Sequence, residues 1–239
     1  AVVAASLAPA GTGRWAAALG RRSDYATTDS AVDSKGRVIV SAASDVTPEF
    51  VDSARPSSGA KLGPVLVAFD GGGKQTFARR FGHGAENLST AVAVDAKDGI
   101  RLAVASRGAT QFGERERQAP SNGNTTLVVT SFDAAGGILW SRDALDGSGL
   151  SVAAAQIDPA GNTYVGGQMN ERLALSTRSN GFVVKITPTG EVAWTRLVAD
   201  GTRAWLGDLA FDREGRIVVV GAVAGLDFQN QLYVAKLQP

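Results

Sequence analysis

A short pattern returns four times along the chain and restricts the fold more than any other feature. GTGRWAA begins at residue 11, GKQTFAR at 73, GGILWSR at 136 and GEVAWTR at 190. The aromatic residue of the pattern falls at Trp15, Phe77, Trp140 and Trp194, with spacings of 62, 63 and 54 residues. A second landmark, an aspartate that closes an apolar run before a glycine turn, falls at Asp33, Asp95, Asp158 and Asp212 with the same three spacings. Two independent series with one period mean an internal repeat.

Each unit reads as strand, tight turn, strand, loop, strand, tight turn, strand. The strands are apolar, β-branched runs such as RVIV (37–40) and LVVTSF (127–132), bounded by Asp, Gly and Pro. The turns have a local cause, since aspartate accepts hydrogen bonds from amides just downstream and glycine supplies positive φ. No segment keeps a helical period, and GERERQAPSN (113–122) reads as loop. Four antiparallel strands per unit, repeated, predict an all-β fold of β-propeller blades stacked on one another. The spacing predicts four blades in a single domain covering 1–239. Blade one spans about 24–82, blade two about 87–144, blade three about 150–198, and blade four about 205–239 plus 11–20. The strand around Trp15 would then close the ring beside LYVAKL (232–237). Segment 2–11 also has the register of a third strand, so that position occurs at both ends of the series. It is an additional edge strand, a leader, or the end of a longer array.

In this frame the tryptophan lies on the outermost strand and packs against the next blade. The arginine two residues on shares its face and lays its stem over the ring.

Composition narrows the chemistry. The chain has no cysteine, which excludes disulfides, zinc–thiolate sites and thiol catalysis, and its one histidine is His83. A net charge of +1 provides no basic stripe for nucleic acid. No apolar run is long enough to span a bilayer, so membrane insertion is not expected. The opening AVVAASLAPA resembles the end of a secretory signal, with Ala8-Pro9-Ala10 in the place of a cleavage site.

Units such as QIDPAGNTYVGG (156–167) with GFVVKITPTGEVAWTR (181–196) resemble the bacterial β-propeller repeats known as SBBP. DPAGNTYVGG (158–167) carries the match best, while Arg37, Ile100 and Arg216 stand where that copy has Asn162. The resemblance implies a propeller. It also implies a secreted, periplasmic or cell-surface location in a bacterium, and service as a ligand-binding or scaffold module. The family name refers to seven blades, and this chain shows about four.

A binding site is expected on the face that carries the second-to-third-strand loops, 44–63, 107–124, 168–180 and 223–230, because these are long and unlike one another. The blade-joining loops are 20–24, 82–87, 146–149 and 199–205. They bring His83, Arg203 and Trp205 to the channel mouth. Asp29 and Asp208 precede their landmark aspartates by four residues, where the other units have Ala91 and Ala154. If blades one and four are neighbours, these carboxylates meet near the central channel. There they would hold a hard cation such as calcium, share a proton, or simply be hydrated. Trp205 either offers a binding surface or packs as the start of an innermost strand. His83 has no identifiable nucleophile or acid beside it and reads as a loop histidine. No catalytic set emerges. The favoured expectation is a non-enzymatic extracytoplasmic module that binds a protein or a glycan. The alternatives are a subunit that self-associates by strand exchange and a hydrolase or lyase at the channel mouth.

Overall fold

The computed structural model describes residues 2–19, 29–44, 63–81, 89–108, 110–112, 115–117, 123–172, 177–198, 203–224 and 230–238. Every regular element among them is a β-strand. The chain opens with a hairpin of β1 (Val2–Leu7) and β2 (Gly13–Leu19). Blade one is a four-stranded sheet of β3 (Asp29–Val32), β4 (Val38–Ser44), β5 (Gly63–Phe69) and β6 (Gln75–Arg80). Blade two contains β7 (Ser89–Val94), β8 (Ile100–Ser106) and β11 (Thr125–Phe132), plus the first half of β12 (Ile138–Ile157). Between β8 and β11 the segment read as loop holds a small hairpin of β9 (Thr110–Phe112) and β10 (Arg115–Arg117). Its Phe112 is buried and stacks on Phe81, which anchors β9 to blade one. The second half of β12, with β13 (Thr163–Arg172), β14 (Thr177–Ile186) and β15 (Val192–Val198), forms blade three. A last unit has β16 (Arg203–Phe211), β17 (Ile217–Ala224) and β18 (Asn230–Leu237).

The turns follow the predicted chemistry. At Asp33, Asp70, Asp133, Asp158 and Asp212 the aspartate N–H donates to the carbonyl four residues on, and its own carbonyl accepts from the turn glycine. One carboxylate oxygen then accepts the amide of the fourth residue, as Asp158 does from Asn162 at 2.9 Å. The other oxygen takes that residue's side chain: Asn162 on Asp158, Arg37 on Asp33, Arg216 on Asp212. Arg and Asn are thus equivalent here because both carry an N–H donor at the right reach.

The core lies between sheets. One apolar layer joins the hairpin to blade one, another blade one to blade two, a third blade two to blade three, and a fourth blade three to the last unit. The repeated aromatic residues seat each blade on the next. A Cβ at Gly73, Gly136 or Gly190, all at positive φ, would lie within 3.2 Å of Trp15, Phe77 and Trp140 respectively. In the second, third and fourth motifs the opening glycine therefore turns the chain and leaves room for the preceding unit's ring. Trp140 also donates its indole N–H to the Pro188 carbonyl at 2.9 Å, and the Arg196 guanidinium sits 4.4 Å over the Trp194 ring.

Two expectations differ from the structure. The segment 146–149 is not a loop, since β12 runs through it from blade two into blade three, with register shifts that let one strand serve both sheets. The strand around Trp15 does not close the last unit. β2 pairs with β1, and among the described residues β18 pairs only with β17. The reason is proximity: β1 and β2 are joined by a tight turn in which Ala8 N–H donates to Thr12, whereas β18 is more than 200 residues away and the closing loop correspondingly costly.

Candidate functional site

The innermost strands converge on a central cavity of about 440 Å³. β3 contributes Asp29 to Val32, β7 Val92 to Val94, β12 Ala153 to Gln156, and β16 Gly207 and Asp208. Asp29 and Asp208, singled out by their offset from the landmark aspartates, line it together. Asp29 accepts the Ser30 amide at 2.7 Å on one oxygen and the Val92 amide of the next blade at 2.9 Å on the other. Burial pushes its carboxyl above the usual range. The two amide bonds pull the other way, and the Asp208 charge adds to the rise. Asp208 accepts the Leu209 amide at 2.8 Å. Asp29 is thereby a tie between β3 and β7 with both oxygens engaged. A calcium cage needs six to eight oxygens, and no cluster of three or more metal-ligating side chains occurs among the described residues.

The other predicted site residues are dispersed. Arg203 is exposed at the start of β16, where its backbone bridges to Ser179. Trp205 is half-buried, in register with Ala222 and, across β17, with Leu232, and its carbonyl accepts the Tyr233 hydroxyl at 3.4 Å. Neither residue lines the channel. His83 lies outside the described residues, as do most of the loops at 44–63 and 223–230.

A site that the sequence did not reveal lies on the long-loop face between blades two and three. It is an open cleft of about 650 Å³. Arg107, at the end of β8, faces Asn124 and Thr125 from the start of β11. The middle of β12 supplies Ser148 to Ser151, and β13 supplies Gln168 and Asn170. The loop predicted at 168–180 is mostly strand, since β13 and β14 pair as far as Arg172 and Thr177. That extension is what carries Gln168 and Asn170 up to the cleft. Two glycines at positive φ shape its walls. A Cβ at Gly149 would fall 2.2 Å from the Asn170 amide nitrogen, and one at Gly123 would fall 3.2 Å from the Arg107 guanidinium. Arg107 is exposed, while Ser148, Ser151, Gln168 and Asn170 are half-buried. No carboxylate lines the cleft among the described residues. The arrangement offers a guanidinium, three carboxamides and several hydroxyls to a polar ligand. The signal in the sequence was local glycine placement, which becomes meaningful only once β12 is known to be continuous.

No protein-family model matches the chain, and no curated relative matches it. Among solved structures, one named Hadza microbial sialidase Hz136 is similar over 88% of this chain and 44% of that one, with a TM-score of 0.53 and 11% identity. The chain thus spans less than half of that structure's length. The likeness shows a shared β-propeller type of fold and carries no activity with it.

Proposed function

We propose that the chain is a non-enzymatic binding module whose loop-face cleft between blades two and three holds a glycan. The carrying observation is the make-up of that cleft: Arg107, Asn124, Gln168 and Asn170 with serine and threonine hydroxyls, on a strand scaffold, with no carboxylate among the described residues that line it. Carboxamides and a guanidinium match sugar hydroxyls and ring oxygens, and a few oriented polar groups in a cleft of this volume are what fixes a small ligand. Most glycoside hydrolysis instead uses paired carboxyl groups on either side of the bond. The carboxylates that do pair, Asp29 and Asp208, lie in the channel, and the first is committed to backbone amides. We read the scaffold as a propeller with four blades around one channel, because β3, β7, β12 and β16 all line the same cavity. The resemblance to SBBP repeats supports a place outside the bacterial cytoplasm.

The test is calorimetric titration of neutral and uronic-acid oligosaccharides against the native chain, Arg107→Ala and the double variant Gln168→Ala/Asn170→Ala. Losing a charged hydrogen bond should weaken binding by about tenfold or more, with thermal stability unchanged. Binding that ignores all three residues would refute this reading. Release of reducing sugar that is abolished by Asp208→Asn would move the function to the channel and make the protein a hydrolase.

A further inference from the structure

Strand register places the polar groups of the cleft in a row across four neighbouring strands, β8, β11, β12 and β13. Ser106 pairs with Thr126, so Arg107, one residue further along, comes level with Thr125. Thr125 pairs with Gly147, and the next residue of β12, Ser148, pairs with Asn170 on β13. Arg107 and Asn170 are therefore three interstrand steps apart, at opposite ends of the row. At the usual strand separation the row is about 14 Å long, more than one sugar ring.

The two ends of the row differ in charge. Arg107 sits in the middle of a turn closed by the buried Ser106 hydroxyl, which accepts the Gly108 amide at 3.2 Å and donates to the Gly108 carbonyl at 3.2 Å. Its guanidinium lies beside Gly123, where a Cβ would come within 3.2 Å of Nη2. Among the described residues no ion pair reaches Arg107, and it is the one ionised side chain on the cleft lining. At the far end the Asn170 carboxamide lies against Gly149, and Gln168, two residues away, shares its side of β13. These carboxamides offer donors and acceptors without charge. A guanidinium fork matches an oxyanion that presents two oxygens, and charge-assisted bonds are about twice as strong as neutral ones. The described lining holds no acid that would repel such an anion.

We propose that the cleft selects acidic oligosaccharides, bound across the strands with a carboxylate or sulfate ester on Arg107 and an uncharged part of the sugar chain on Gln168 and Asn170. The selection rests on the cleft being a glycan site, and adds to it a charge and a direction. A single acidic sugar reaches one end of the row at a time, so both ends contribute only to a chain of two or more units. The two ends also do separable things. Arg107 tells an acidic sugar from a neutral one, whereas Gln168 and Asn170 hold both alike.

Matched ligands test this by calorimetric titration of the 239-residue chain. They are tetrasaccharides of glucuronic, galacturonic and mannuronic acid, the carboxyl-reduced counterpart of each, a sulfated form of each counterpart, and the three monomeric acids. The native chain should bind an acidic tetrasaccharide about tenfold tighter than its neutral counterpart, the worth of one charge-assisted hydrogen bond. A tighter uronate assigns the anion as a carboxylate, and a tighter sulfated form assigns it as a sulfate ester. Arg107→Ala, at an exposed position and checked for folding by circular dichroism, should bring acidic and neutral forms to one affinity. Gln168→Ala/Asn170→Ala should weaken both and keep their ratio. Equal binding of acidic and neutral forms by the native chain, or a preference that survives Arg107→Ala, would overturn the selection and leave the glycan site standing. A monomeric acid that binds as tightly as its tetrasaccharide would overturn the placement across the strands. Binding of none of these ligands would overturn both the selection and the glycan site.

Discussion

Replacing Gly190 by alanine tests whether the aromatic wedge holds adjacent blades together. Gly190 has φ +92, and a Cβ there would meet Arg142 Cγ at 2.8 Å and the Trp140 ring at 3.0 Å. Gly215 is the control. It occupies the corresponding place in an inner turn, at φ +75, but a Cβ there meets nothing within 4 Å. Both alanines pay for a left-handed backbone, about 1–2 kcal/mol. Only Gly190→Ala adds the overpacking of a seated ring, about 1–3 kcal/mol more. The expected losses are then about 1–2 kcal/mol for Gly215→Ala and about 2–5 kcal/mol for Gly190→Ala. In a chain of this size each kcal/mol lowers Tm by roughly 2–4 °C. Thermal unfolding followed by near-ultraviolet circular dichroism reads the two variants side by side. Combining Gly190→Ala with Trp140→Ala and Arg142→Ala should bring the cost of the glycine change down to that seen at Gly215, because neighbours that share a contact are not additive. Equal Tm losses for the two single variants would refute the idea that the motif's glycine exists to accommodate the preceding blade's ring.

Two further outcomes concern charge. Asp98 is held below the usual carboxylate range by the Ser34 amide and hydroxyl, and Asp212 by Lys236 and Arg216. At Asp158 burial pushes the carboxyl up, but Asn162 and the Tyr164 hydroxyl together outweigh it and the net shift is downward. A carboxyl whose folded pKa lies below its unfolded value contributes stability that is complete above the unfolded value and is lost as pH falls through the folded one. Tm should therefore hold on descending to about pH 4 and fall below it, with a shallower fall in Asp158→Asn; a Tm that rises into acid would contradict these bonds. In the channel, Asp208→Asn removes the like charge beside Asp29, so the Asp29 carboxyl, followed by NMR titration, should titrate at lower pH than in the native chain. An unmoved titration would mean that the two groups do not share the cavity.

Much of the fold was legible because its causes are local. The aspartate–glycine turns are made by hydrogen bonds within five residues, and the wedge is a glycine followed at fixed distance by an aromatic. Equal offsets from these landmarks were enough to bring Asp29 and Asp208 into one channel from opposite ends of the chain. The cleft was not legible, because it depends on the course of β12. Nothing in DGSG (146–149) distinguishes a loop from a strand that passes between sheets with shifted register, and Gly149 looks like a turn former until Asn170 is found lying against it. Ring closure failed as an expectation for another reason. β1 and β18 have the same register and compete for β2, and pattern alone cannot rank a neighbour in sequence above one at the far end. Trp205 was read as an isolated aromatic, but its meaning comes from Ala222 and Leu232 beside it, which strand register brings there.

Stacked units share stability mainly with their nearest neighbours, so the order of the blades predicts where the chain is most rigid. Blades two and three are covered on both faces by apolar layers, and β12 is common to both. The last unit is covered on one face only. Opening of β17–β18 breaks one layer, while opening of β11–β13 breaks two and severs a strand shared between sheets. Backbone amides of β8, β11 and the centre of β12 should therefore exchange with solvent much more slowly than those of β17 and β18, measured by hydrogen exchange on the native chain under conditions where exchange reports local opening. The cleft stands on that slow-exchanging junction. Its polar groups are held by the best-supported strands of the molecule, which is the preorganisation that a binding site requires and that a surface loop would lack. Comparable exchange at β18 and β12 would remove this mechanical argument for placing the site between blades two and three.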